Sequence, residues 1–409
     1  VAFLSCPVQC YNDGFQNDFR IVIMMLSLRS TISLFIGLFL FLAVQSLQAA
    51  GPIFIPAAPS IAGTSFYLMD FDSSRILAEK DPDKRVSPAS LTKIMTVYVI
   101  FRELKSGNLT LDEKVTISQN AWQTGGSKMF VEVNKQVAVE DLLQGVIIQS
   151  GNDASVALAE HVAGSEQTFA HMMNEQASRI GMANSHFENS TGLPNPNHYS
   201  SARDLALLTQ ALIKEFPEYY RWDKEKEFTY NNITQKNRNQ LLWRDDTVDG
   251  VKTGYTDDAG YCMVASAKRE DMRLISVVMG TASPNARANE SQSLLNYGFR
   301  FFETHKLYDA GTALTEAQVR KGETSKLSVG VAEDVYVTVA RKHYNELKAE
   351  TQLDKAIVAP IAKGDTVGSL NVSLADEIVL TKPLVAMNDV AEGGIFRRLY
   401  DAVLVFLEK

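Results

Sequence analysis

The sequence predicts an α+β protein: a larger domain with an antiparallel sheet flanked by helices, a small all-β domain, and a C-terminal amphipathic helix. Three observations lead there. β-prone segments lie early and late around a helical middle, the composition turns to Val, Thr and Lys beyond Tyr308, and the last residues return to a helical period. The late β-prone runs are joined by turns too short for crossover helices, so they should pair antiparallel.

Residues 1–23 precede any plausible initiator, Met24 or Met25, and show no periodicity; they read as an unstructured upstream extension. Residues 24–50 read as a secretory signal peptide. Arg29 is its charged start, Ile32 to Val44 its apolar core and Ser46 to Ala50 its small-residue cleavage zone. The apolar core is shorter than the ~20 residues a spanning helix needs. Of three cysteines, Cys6 and Cys10 precede this segment, leaving Cys262 alone in a mature chain with no internal disulfide. It sits in an apolar strand pattern and reads as a buried small hydrophobe.

The larger domain is expected over residues 51–307. Ser65 to Asp70 and Arg75 to Ala78 predict a hairpin. After Pro88, Ile94, Val97, Tyr98, Phe101 and Leu104 recur at helical spacing, so Ser90 opens a helix. Thr116 to Phe130 reads as loop, and Val139 to Ile148 as an apolar helix ending at Ser150. Helices follow over Ala154 to Val162, Glu166 to Ile180 and Ala202 to Lys214, with a loop at Asn189 to Ser201. Val248 to Lys252, Tyr261 to Ala267 and Arg273 to Met279 are strands, with Thr253 and Gly254 at the end of the first. A helix from Ala286 to Phe302 closes the domain.

Residues 308–390 predict the all-β domain, with short runs at Val335 to Val339, Ile357 to Pro360 and Thr366 to Val372, then Glu377 to Leu380 and Leu384 to Met387 on either side of Lys382-Pro383. In residues 391–409, Ile395, Phe396, Leu399, Tyr400, Val403, Phe406 and Leu407 cover one broad face and the charges gather on the other. This tail is too short and too charged to span a membrane. It reads as an interfacial anchor helix, the alternative being a helix docked on the β domain.

The chemistry concentrates on Ser90 and Lys93, three residues apart and so on one face of a helix. A serine hydroxyl attacks only when a base removes its proton, and a lysine does this only when burial or a nearby cation keeps it neutral. Alone, the pair is equally a helix start with a solvated lysine. What singles it out is company in order: Ser150-Gly151-Asn152 and then Lys252-Thr253-Gly254. S-x-x-K with S-D-N and K-T-G marks penicillin-binding proteins and class A β-lactamases, and here the middle element reads S-G-N. A net charge of −8, from 40 Lys+Arg against 48 Asp+Glu and with no basic patch, argues against nucleic-acid binding. No phosphate loop, dinucleotide fingerprint or metal-ligand spacing occurs, and none of the six histidines is placed by pattern beside Ser90. No cofactor and no metal are expected.

Ser87-Pro88-Ala89-Ser90-Leu91-Thr92-Lys93, Gln149-Ser150-Gly151-Asn152-Asp153-Ala154 and Asp249-Gly250-Val251-Lys252-Thr253-Gly254 resemble the low-molecular-mass penicillin-binding proteins that are D-alanyl-D-alanine carboxypeptidases. Gly125-Gly126-Ser127, Asn189 to Pro194, the β domain and the tail extend the likeness over nearly all of the mature chain. The resemblance implies a β-lactamase/transpeptidase-like fold. It also implies a periplasmic enzyme on the inner membrane that trims the terminal D-alanine of peptidoglycan pentapeptides and is acylated by β-lactams. Ser90 would be the nucleophile, Lys93 its base and Ser150 a proton relay to the leaving amine. Asn152 would hold the substrate peptide, while Lys252, Thr253 and Arg287 would meet its carboxylate. Gly254 would leave the strand edge open to the substrate, and the backbone N–H groups of Ser90 and Tyr255 would form the oxyanion hole. A serine β-lactamase and a DD-endopeptidase are the enzymatic alternatives. No Glu-x-x-Leu-Asn segment of the kind class A β-lactamases use lies between Ser150 and Lys252. A non-catalytic cell-wall scaffold is the third.

Overall fold

The computed structural model describes residues 55–395; the expected extension and signal segment, and the tail from residue 396, lie outside the described residues. No described helix is long and apolar enough to cross a membrane.

Five strands form the central sheet: β1 (Ser65–Asp70), β2 (Ile76–Lys80), β3 (Val248–Thr256), β4 (Gly260–Arg269) and β5 (Met272–Thr281). Their order is β2-β1-β5-β4-β3, all antiparallel, so the early hairpin is zipped onto the last strand of the late meander. Strand alternation divides the core between the two faces. Tyr67, Met69, Ile275 and Val277 pack on one side with the helical middle; Leu68, Leu274 and Val278 pack on the other. The helical side holds α1 (Lys93–Ser106), α2 (Asn152–Ala163), α3 (Glu166–Ile180) and α4 (Ala202–Glu215). The other side holds α5 (Pro284–Phe301), which carries Leu294, Leu295 and Phe299 into the core.

α1 is apolar nearly all round, with ten of its fourteen residues buried, as a helix at the centre of a two-layer domain must be. Gly107 at φ 77° ends it in the left-handed conformation glycine tolerates best. Serines cap α3, α4 and α5: Ser165 accepts from the Thr168 amide, Ser201 from the Asp204 amide and Ser283 from the Ala286 amide.

The β region begins at Phe302 rather than at 308, because the strand Phe302–Tyr308 leaves α5 directly and pairs with Val335–Ala340. Six more strands form a second sheet over the core of Leu327, Val329, Leu370, Val372 and Leu384. Three of them, Ala313–Arg320, Lys326–Gly330 and Lys348–Leu353, have no counterpart among the sequence-predicted strands. Glu377–Ala386 is one continuous strand, not two around Pro383. Pro383 pairs with Ser369 on one side, while the other neighbour pairs only with Val385 and Ala386, so no ladder hydrogen bond is asked of its missing N–H. The two regions meet at the β1–β2 turn. Asp70 accepts from Thr304 Oγ1 at 2.6 Å, Ser73 and Thr338 hydroxyls lie 2.5 Å apart, and Arg75 donates to the Thr338 carbonyl.

Candidate active site

Ser90 lies on a single 3-10 turn, Ala89–Thr92, that runs straight into α1. The tight turn sets the Ser90 hydroxyl over Lys93, whose Nζ is 3.1 Å from Ser90 Oγ. Lys93 is fully buried. Its two other contacts are shorter and neutral: Nζ donates to Asn152 Oδ1 at 2.6 Å and to the Thr191 carbonyl at 2.7 Å. A neutral amine has two hydrogens and one lone pair. With both hydrogens given to Asn152 and Thr191, the lone pair is left for the Ser90 hydroxyl. Burial, reinforced by the Arg238 guanidinium and only partly opposed by Asp153 and Glu166, pulls the Lys93 amine down to about 7.

The partners of Lys93 are held from below. Asn189 Oδ1 accepts from the Thr191 amide and hydroxyl and from the Gly192 amide, which shapes the loop that presents the Thr191 carbonyl. Gly192 sits at φ 81°, and a Cβ there would lie 1.8 Å from the Ala89 carbonyl oxygen, so the loop reaches the nucleophile turn only as glycine. His198 bonds Thr92 Oγ1 at 2.8 Å, and burial pushes it down to about 4, so it stays neutral and structural. Asp153 accepts from the amides of Met129, Phe130 and Val131 and pins the loop after Gly125-Gly126-Ser127 against α2. Asn152 Nδ2 donates to the Gly125 carbonyl at 2.7 Å. Asn152 thus bonds the protein through its oxygen and one N–H, while its second N–H is used by neither bond and the residue lines the cleft.

Ser90, Ser150, Asn152, Thr253, Gly254, Tyr255 and Arg287 line one cleft of about 780 Å³. Ser150 takes the left-handed conformation, φ 68°, where the preceding helix stops. Its buried Oγ has no partner among the described residues, leaving a hydroxyl to give or take a proton. Thr253 and Gly254 lie inside β3, not at its end, because the strand continues to Thr256 paired with β4. The space at Gly254 belongs to the protein itself: a Cβ would sit 3.0 Å from the Pro88 carbonyl oxygen and 3.2 Å from the Ser90 amide nitrogen. The glycine therefore admits the nucleophile turn rather than leaving the edge open. Arg287, in the first turn of α5, donates to the Gly254 carbonyl at 3.0 Å and lies over the Tyr261 ring. Tyr255 is about half exposed, stacks on Tyr261 with 4.3 Å between ring centroids and bonds Asp257 at 2.7 Å.

Lys252 is not part of the cleft wall. It lies beneath, in a small cavity shared with Lys93 and Asp223, where its one hydrogen bond among the described residues is a long 3.4 Å contact to the Thr253 carbonyl. Burial and the cations Lys93, Arg238 and Arg287 hold it well below its ordinary value.

Sequence reasoning missed Arg238. It follows a hairpin, Glu227–Tyr230 with Ile233–Lys236, and lines the cleft without a hydrogen-bond partner among the described residues. Asn237 and Asn239 hold its segment: Asn237 Oδ1 accepts from the Asn239 amide, and Asn239 bonds the Leu241 amide and the Gly250 carbonyl. That Asn-Arg-Asn turn chemistry was the only signal in the sequence. With Arg287 it makes this end of the cleft positive, above the buried Lys252.

The family model for D-alanyl-D-alanine carboxypeptidases, peptidase S11, matches residues 53–283, and the one for the C-terminal domain of penicillin-binding protein 5 matches residues 302–392. The D-alanyl-D-alanine carboxypeptidase DacC of Escherichia coli is 45% identical over 85% of this chain and 89% of its own length. The crystal structure of penicillin-binding protein 5 from Haemophilus influenzae superposes with a TM-score of 0.80 at 43% identity, covering 82% of this chain and 100% of that one. Penicillin-binding protein 6B from Escherichia coli gives 0.68 at 37% identity over 81% and 98%. With a serine, a buried lysine whose charge is disfavoured by burial, and a cationic cleft assembled on this fold, the chain belongs to the D-alanyl-D-alanine carboxypeptidase family of serine peptidases.

Proposed function

We propose that this chain removes the terminal D-alanine from peptidoglycan pentapeptides through an acyl-enzyme on Ser90, and that β-lactams acylate the same serine. The observation that carries the reading is the pair of acceptors, Asn152 Oδ1 and the Thr191 carbonyl, that takes both hydrogens of a neutral Lys93 amine and leaves its lone pair for the Ser90 hydroxyl 3.1 Å away. Ser90 Oγ attacks the carbonyl of the penultimate D-alanine as its proton passes to Lys93. Ser150 passes a proton to the departing amine as the C–N bond breaks. The proton Lys93 took from Ser90 restores Ser150; water then cleaves the ester, its proton passing through Lys93 to the departing Ser90 Oγ. The cationic end, with Arg238 exposed, Arg287 buried in the cleft wall and Lys252 below, suits the free carboxylate that distinguishes a chain terminus from an internal peptide bond.

Residues 24–50 as an export signal and 391–409 as an interfacial helix would place the enzyme in the periplasm on the inner membrane, where this substrate is found. The test is intact-mass spectrometry with benzylpenicillin, together with D-alanine release from diacetyl-Lys-D-Ala-D-Ala, on wild type and Ser90→Ala. A stable penicilloyl adduct and D-alanine release, both lost in the variant, are expected. Rapid penicillin turnover without D-alanine release would make the enzyme a β-lactamase. Fractionation of a chain lacking residues 391–409 tests the anchor, which is excluded by a truncated protein that stays with the membrane.

A further inference from the structure

Asp223 is a buried carboxyl that the reaction scheme above does not use. It lies on a short 3-10 turn, Arg221–Lys224, packed against β3, and is 4% exposed. Its Oδ2 is sealed from solvent with no hydrogen-bond partner among the described residues. Beside it is a cavity of about 10 Å³ walled by Lys93, Lys252 and Asp223 and otherwise by apolar side chains. That is at the lower bound for one water molecule; with Lys93 Nζ committed to Asn152, Thr191 and Ser90, the Asp223 carboxyl and the Lys252 amine are the two polar partners a buried water would have there. An unpaired buried carboxyl is costly, so its retention next to two buried amines calls for a reason.

The surrounding charges narrow that reason. Lys252 is faced by three cations, Lys93 from α1, Arg238 from the loop after the hairpin and Arg287 from α5. Asp223 is faced by Asp249 of β3 and by Lys252. Asp249 already has partners: Arg273 at 2.7 Å and the Tyr220 hydroxyl at 2.9 Å. Asp223 is therefore the acid left to answer Lys252.

We infer that Asp223 is a positioning residue for the peptidase reaction, holding one proton in common with Lys252 across the water-sized cavity so that an incoming carboxylate meets Lys252 as an ammonium. In the free enzyme burial disfavours both charges, and the proton can rest on the carboxyl. When a substrate carboxylate enters the cationic end, the proton passes from Asp223 through the water to Lys252 Nζ, leaving Asp223 a carboxylate. No proton comes from solvent, and Lys93 keeps its neutral form. The directions agree: Asp223 is held well above its ordinary value and Lys252 well below, chiefly by burial, and each opposes the shift of the other.

The inference rests on the peptidase reading, so wild type is measured first. A wild-type chain that benzylpenicillin does not label would overturn that reading and this inference with it. With labelling established, the rate constant for acylation is followed from pH 5 to 10 for wild type and Asp223→Asn. Loss of the carboxylate lowers the pH at which Lys252 gives up its charge. The alkaline limb of the variant is therefore expected to fall by about one pH unit or more relative to the acid limb, an added loss of about 10-fold above the limb. KM for diacetyl-Lys-D-Ala-D-Ala should rise more than kcat falls, and Asp223→Glu should bring the limb back toward wild type. A variant profile that superimposes on wild type after uniform scaling would make Asp223 a packing residue and overturn the inference. If the asparagine variant does not fold, carboxyl-carbon NMR of Asp223 in wild type decides. A titration step displaced by penicilloylation supports the shared proton, and an undisturbed one contradicts it.

Discussion

Lys93 on the catalytic floor and Lys306 at the start of the β region are the same side chain put to opposite uses. Lys93 is buried among an amide oxygen, a carbonyl and a hydroxyl, with no carboxylate bonded to it. Lys306 stands in solvent between two carboxylates, Asp309 and Asp334, each at 2.8 Å. Those hydrogen bonds hold Lys306 above its ordinary value, while burial pulls Lys93 down to about 7. What makes a lysine a base is therefore the exclusion of both water and carboxylates, with neutral acceptors to take its hydrogens. The ion pairs of Lys306 belong to a solvated surface, where such pairs add little.

The most damaging way to break the comparison is Lys93→Met, which removes the base and keeps the packing. D-alanine release and penicilloylation should fall by about 10²–10⁴-fold, measured as kcat/KM and as the acylation rate constant. Asn152→Asp sharpens it further by giving Lys93 the kind of partner Lys306 has. A carboxylate 2.6 Å from Nζ would raise the amine by about 1–3 pH units. Since only neutral Lys93 takes a proton and half of it is already charged at pH 7, the variant should lose about 5–500-fold there and recover as pH rises; equal loss at all pH values would contradict this. Arg238→Ala removes a cleft cation not committed to protein. It should raise KM for a substrate with a free terminal carboxylate by about 10-fold or more and leave the KM of an amidated analogue unchanged, any shift of Lys93 appearing in kcat for both. At the small end, Lys306→Met should leave the acylation rate unchanged and the melting midpoint within experimental scatter.

The catalytic apparatus was far more legible in the sequence than its surroundings. Ser90 and Lys93 are linked by local helix geometry, and the later motifs announce themselves by residue type, so their meeting needs only the sheet to close. Non-local contributions were not legible. The Thr191 carbonyl reaches Lys93 because Asn189 folds its loop, and backbone acceptors carry no residue-type signal. Gly254 reads as an open strand edge until Pro88 and Ala89 are seen filling it. Arg238 and Asp223 lie in the stretch between α4 and β3, where short turns and a polar hairpin offer no long periodicity. In the β domain, the longer alternating run of Thr366–Leu374 was readable, whereas the five-residue Lys326–Gly330, with Leu327 and Val329 buried, was too short to stand out. Lys348–Leu353, nearly all exposed at the sheet edge, was not readable, since it has no buried face to impose a pattern.

The central claim is that Lys93 is neutral at work, and the pH dependence of kcat/KM for D-alanine release tests it most directly. The account predicts an acid limb near pH 7 in wild type, with activity rising as Lys93 loses its proton. In Asn152→Asp that limb should move to higher pH. An acid limb close to the ordinary lysine value in wild type, or one that stays in place when the carboxylate is introduced, would contradict it.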